Sequence, residues 1–238
     1  VAWQQARPTG ALLNDNQQRF MTKVFGWMFM GLGLTAMVAY GTFALGFLPV
    51  VFGFRWILLI AQLGLVFWLS ASLMKMKPAT AAGTFLGYSA LNGLTLGAIF
   101  AIYNPISIAL TFAGTASMFG FLFVLGLVVK RDLSTMGRFL IMTVWGLVVM
   151  SLINMVAMSF GWLGGEQAQS FHLLISYAGV FIFSGLTVYD AQKLKNLSRQ
   201  GFANPDDEQR LSVLGALTLY LDFINLFLFL LRILGDRR

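Results

Sequence analysis

The sequence predicts an all-α polytopic membrane protein with seven transmembrane helices, and three observations lead there. Of 238 residues, 58% are hydrophobic and only 11% are charged, whereas soluble domains carry about 25% charged residues. Charge that sparse cannot cover a globule in water, so lipid must solvate most of the chain. The charges also fall in clusters, and each apolar run between clusters is long enough to cross a core of about 30 Å at roughly 1.5 Å per residue. Finally, the alternating pattern of a β-barrel is missing. Backbone groups in lipid must pair internally, which leaves helices.

The spans follow in order. The first runs from about Lys23 to Phe47, before Pro49. A second runs from Arg55 to Met74 and is closed by Lys75, Lys77 and Pro78. The third runs from Ala79 to Ile102 and ends in the turn Tyr103-Asn104-Pro105, where proline favours a break. Ile106 to Val129 forms the fourth, closed by Lys130, Arg131 and Asp132. The fifth covers Phe139 to Phe160, before GWLGGEQ, and the sixth starts near Phe171. The seventh runs from Leu211 to Leu234. Residues 1–22 form a polar segment without the apolar core of a cleavable signal peptide, and residues 23–238 form the membrane domain.

Lysine and arginine set the orientation. Arg7, Arg19 and Lys23 precede the first span, and Lys75 with Lys77 follow the second. Lys130, Arg131 and Arg138 follow the fourth; Lys193, Lys195, Arg199 and Arg210 follow the sixth. The intervening loops hold only Arg55, so the N-terminus and the even-numbered loops are expected in the cytoplasm. A basic tail (Arg232, Arg237, Arg238) after the seventh span runs against that rule. Either that segment re-enters, or the upstream bias overrides the tail; a full span is the expectation. The net charge of +7 reads as basic loops against anionic headgroups rather than as a nucleic-acid surface.

Cysteine is absent, which removes disulfides, thiolate metal sites and cysteine nucleophiles. No serine, histidine and acid set, phosphate loop or metal cluster is visible, so no enzymatic activity and no cofactor is expected.

Two acids stand out. Of nine acidic residues, seven lie in loops or tails, while Asp190 and Asp222 fall inside apolar segments. A charge at mid-membrane costs at least about 2.5–3.5 kcal/mol, so each needs a partner, a proton or water. YDAQKLKNLSRQG has no helix breaker before Gly201, so the sixth helix is expected to continue to about Arg199. Asp190 then lies roughly 14 Å from that end, and Asp222 lies roughly 16 Å into the seventh span. Matched depth on sequence neighbours makes a carboxylate pair reasonable. Two such groups in contact cannot both be charged cheaply, so the pair would act as a pH switch. Deprotonated, it would attract hard cations such as Ca²⁺, as a transit point rather than a tight site. The alternative pairs Asp190 with Lys193 one turn on, and bonds Asp222 to Asn225 or Tyr220.

GLTVYDAQKLKN followed by LGALTLYLDFINLFLFLLRILGDRR resembles the C-terminal signature of the Bax inhibitor-1 family, the TMBIM proteins, and most of all its bacterial inner-membrane members. VFGWMFMGLGLTA and KRDLSTMG extend the resemblance over nearly the whole chain. It implies a C-terminal helix placed centrally and wrapped by the other six, and a pH-sensitive calcium leak gated by an aspartate pair, Asp190 and Asp222. It also implies a basic latch at the inner end of the second helix, where Lys75 and Lys77 fall. Family members are linked to a membrane-bound AAA protease (FtsH-type), so a non-transporting modulator or scaffold of a membrane complex is the second expectation. A proton-coupled transporter is a third reading, but no broken-helix pair offers a substrate site.

Other features carry plainer expectations. His172, the sole histidine, reads as interfacial at the outer end of the sixth span. Gln62, Asn92 and Asn154 fit either a water path or hydrogen bonds between helices. Gly83/Gly87 and Gly93/Gly97 read as helix-packing pairs. Trp27, Trp56 and Trp162 read as interfacial anchors, and Asp206, Asp207 and Glu208 as a solvated loop.

Overall fold

The computed structural model describes residues 14–160, 165–202 and 204–237. Its helices are α1 (Asp15–Ala44), α2 (Leu48–Gly53), α3 (Arg55–Ser72), α4 (Pro78–Leu96), α5 (Ile99–Ile102), α6 (Pro105–Val128), α7 (Ser134–Ser159), α8 (Gly165–Gln200) and α9 (Pro205–Leu234). Among the described residues seven segments are long and apolar enough to cross a membrane, and they match the seven expected spans. There is no β-strand among them, only an isolated bridge between Tyr103 and Arg237. Trp162, Arg7 and Arg238 lie outside the described residues.

Local chemistry explains the ends. α1 starts at Asp15, ahead of the expected Lys23, because Asn14 and Gln17 form a reciprocal cap. Asn14 Oδ1 accepts from the Gln17 amide at 3.0 Å, and Gln17 Oε1 accepts from the Asn14 amide at 2.8 Å. Pro78, Pro105 and Pro205 open α4, α6 and α9, where a missing N–H costs nothing. α8 runs on to Gln200 and stops at Gly201, whose φ of 74° is a glycine conformation.

The acidic run 206–208 is not a solvated loop. It is the first turn of α9, where the helix dipole favours negative charge. Glu208 bonds Lys23 at 2.9 Å, and Asp207 bonds Arg210 at 2.7 Å. Arg210 Nε also donates to the Met76 carbonyl at 2.7 Å, tying α9 to the turn after α3.

α9 is the axis of the bundle. Leu219, Tyr220 and Leu226 are completely buried on it, and Leu231 nearly so. The wrapping is layered: α1, α4, α6 and α8 pack on α9 directly, while α3 and α7 reach the bundle mainly through α4 and α8. The outer helices accordingly show apolar faces such as Ile57, Ile60, Met142 and Trp145 to the lipid. Lipid tails are as apolar as leucine, so the helices are held by close packing and hydrogen bonds instead. Gly93 and Gly97 let α4 approach α1: a Cβ on Gly93 would lie 2.7 Å from the Thr35 carbonyl oxygen. Gly83 and Gly87 do not pack this way. They are exposed, and a Cβ on either would meet nothing within 4 Å.

The two ends of the bundle differ. One end, called the inner end after the orientation expected from the lysine and arginine distribution, holds the start of α1, the α6–α7 loop and the α8–α9 loop. Gln17 Nε2 of α1 donates to the Lys195 carbonyl of α8 there at 3.4 Å. At the other end the C-terminal tail lies against the α5–α6 loop. The Asn104 amide donates to the Asp236 carbonyl at 3.0 Å, and the Asp236 amide donates to Ser107 Oγ at 2.9 Å. α9 therefore runs the full length of the bundle.

Candidate functional site: a buried carboxylate pair

α8 and α9 form an antiparallel hairpin, and its register sets the level of every side chain between them. Leu194 packs on Gly215, and the Phe183 ring lies 5.9 Å from that of Phe229. In that register Asp190 falls opposite Asp222, and the two carboxyl groups are within hydrogen-bonding reach of each other. Asp190 is 6% exposed and Asp222 4% exposed, so neither bulk phase bathes the pair. Asp222 Oδ2 is fully buried and has no donor among the described residues. A buried oxygen left unpaired is costly, and a proton held between the two carboxyls would satisfy it.

The alternative partners are occupied elsewhere. Asn225 Nδ2 donates to the Leu221 carbonyl of its own helix at 2.8 Å. Tyr220 points to the other side of α9, where its hydroxyl lies 2.7 Å from Thr35 Oγ1 and accepts from Asn92 Nδ2 at 3.1 Å. Lys193 acts on Asp190 through its field without forming a direct ion pair, and its ammonium sits 6.0 Å from the Tyr189 ring centre. Lys75 and Lys77 are exposed at the inner end. Neither forms an ion pair with Asp190 or Asp222 among the described residues.

A residue the sequence reading passed over fixes the site from behind. Gln192 Nε2 donates to the carbonyls of Val129 at 3.1 Å and Arg131 at 2.8 Å, and its Oε1 accepts from the Leu133 amide at 2.9 Å. Lys195 Nζ donates to the Leu127 carbonyl. Together they satisfy the carbonyls that the end of α6 leaves open. Gln192 follows Asp190 by two positions, or about 200° of helix. One residue thus faces α9 and the other faces α6. No signal in the sequence marks it, because its partners in the α6–α7 loop lie about 60 residues away along the chain. The same bonds fix the depth: Asp190 lies roughly 3 Å along α8 from Gln192. Asp190 therefore lies near the level at which α6 ends.

Gln62 and Asn154 bond between helices. Gln62 Nε2 donates to the Leu91 carbonyl and to Thr95 Oγ1, both at 3.0 Å. Asn154 Nδ2 lies 3.2 Å from His172 Nε2. Among the described residues no three His, Cys, Asp or Glu side chains group as metal ligands.

Seven spans around a polar centre built on a carboxylate pair define a polytopic membrane protein with an ionisable core. The chain belongs to the Bax inhibitor-1 family: the family described as "Inhibitor of apoptosis-promoting Bax1" matches residues 17–238. It is 46% identical over 226 residues to "Inner membrane protein YbhL" of Escherichia coli, covering 93% of each chain. A protein of Deinococcus radiodurans is 44% identical over 235 residues, covering 98% of this chain and 97% of its own. One from Borreliella burgdorferi is 41% identical over 227 residues, covering 93% and 94%.

Proposed function

We propose that this protein is a proton-regulated calcium leak of the bacterial inner membrane, with Asp190 and Asp222 as gate and pH sensor and with its inner end in the cytoplasm. The observation that carries the reading is the contact of two buried carboxyl groups from adjacent helices, with one oxygen that has no other donor among the described residues. The positive-inside distribution of lysine and arginine supports the orientation.

The mechanism follows from charge. With a proton between them, the carboxyls hydrogen-bond and hold α8 to α9. Once that proton leaves, two negative charges face each other. At about 4 Å and an effective dielectric near 20, they repel by roughly 4 kcal/mol. That exceeds the roughly 0.6–1.7 kcal/mol of a hydrogen bond between membrane helices, so α8 and α9 separate locally at this level. The exposed carboxylates then offer oxygen ligands to a passing Ca²⁺. Calcium takes about 6–8 oxygens, so two carboxylates with water hold it weakly, as a leak requires. Rising pH therefore opens the path and falling pH closes it.

The test is Ca²⁺ entry into liposomes holding the purified protein, from pH 6 to 8. Wild-type flux is expected to rise with pH, and Asp222→Asn to show the same flux across the range. A mutant with the wild-type pH profile would sink the gate. Absence of flux at every pH, from protein shown to be folded, would favour a non-transporting modulator of a membrane protease or another membrane complex.

A further inference from the structure

At the inner end, Lys23 pairs with Glu208 at 2.9 Å, and Arg210 pairs with Asp207 at 2.7 Å and with Asp206 at 3.9 Å. On the α6–α8 side, Lys130, Lys195 and Arg199 line a cleft of about 250 Å³. Among the described residues none of these three has a carboxylate within ion-pairing distance.

Asp132 also lines the cleft, but its charge is already answered. Its Oδ1 accepts from the Ser134 amide at 2.9 Å and from the Ser134 hydroxyl at 2.6 Å. Those bonds, with Arg138 nearby, hold the carboxyl below the usual carboxylate range. The rear wall is fixed rather than loose, because Gln192 and Lys195 bond the carbonyls at the end of α6. The turn of α6 that leads into this wall at Val129 exposes Val124, Leu125 and Val128. A cationic concavity at the inner end thus adjoins an exposed apolar turn of α6.

We propose that this cleft binds the phosphate headgroup of an anionic phospholipid of the inner-end leaflet. Lys130 and Arg199 bond the phosphate oxygens, Lys195 adds charge from the rear wall, and the acyl chains lie along the exposed face of α6. Arginine offers a planar fork that fits phosphate oxygens, and basic pockets at the cytoplasmic ends of spans suit such headgroups. A soluble phosphate would use the cations but not the apolar flank, which favours the lipid. The inference does not depend on the calcium reading.

Native mass spectrometry of the full chain, released from detergent with equal phosphatidylglycerol and phosphatidylcholine, reads the site directly. Wild type is expected to retain phosphatidylglycerol preferentially. The double variant Lys130→Gln/Arg199→Gln should lose at least about tenfold of that preference. Lys75→Gln/Lys77→Gln, with the same change of charge at the same end, should keep it. Monodisperse elution of both variants shows that they fold. Equal retention of the two lipids by wild type, or an unchanged preference in the first variant, overturns the proposal. Displacement of the lipid by millimolar inorganic phosphate would overturn the lipid assignment in favour of a soluble anion.

Discussion

Asp222 and Tyr220 are two residues apart and do opposite work. About 200° of helix separates them, so Asp222 turns to α8 and Tyr220 to α1 and α4. The tyrosine hydroxyl is the hub of a buried network: it contacts Thr35 and Asn92, and Thr35 donates to the Ser89 carbonyl at 2.9 Å. Such bonds between membrane helices are worth about 0.6 kcal/mol on average and up to about 1.7. Tyr220→Phe is expected to destabilise the folded protein by that amount, read as a lower thermal midpoint in detergent, while the pH profile of flux is retained. A lost pH profile would mean that the network belongs to the gate. The sequence marked Asp190 and Asp222 because a carboxylate in an apolar run is conspicuous. It did not mark Gln192, because a neutral amide within YDAQKLKN shows its value only when the α6–α7 loop is brought beside it.

At the scale of the element, α4 shows how spacing can mislead. Two glycine pairs share the same interval of four, and only one pair packs. Gly93 and Gly97 face α1, while Gly83 and Gly87 face outward. Ten residues separate the pairs, which turns the second by about 80° from the first. Gly93→Val must push into the Thr35 carbonyl and Val38, and overpacking of that kind costs about 1–3 kcal/mol. Gly83→Val has open space and should change stability by less than about 0.5 kcal/mol. Thermal unfolding of the two variants side by side separates them; equal midpoints would refute the packing assignment. α8 gives the reverse case. Its continuation to Gln200 was legible, since 190–200 contains no breaker and Gly201 is the first residue able to take a positive φ easily. That continuation places Asp190 level with Asp222.

At the scale of the molecule, α9 crosses the whole bundle and its tail is pinned to the α5–α6 loop. The chain lacks cysteine, so single cysteines report sidedness cleanly. Asn16→Cys and Asp236→Cys, in sealed vesicles, are expected to react with an impermeant maleimide from opposite faces. Labelling from one face would mean that the last helix turns back. Seven spans and two conspicuous acids followed from the sequence alone, because the lipid core rejects charge and requires about 20 apolar residues per crossing. Which helix lies at the centre, which glycines touch a neighbour, and where Gln192 and Tyr220 spend their hydrogen bonds were decided only by tertiary structure. The reason is that hydropathy is summed along one segment, whereas rotation about a helix axis and register between helices are set by several segments packing at once.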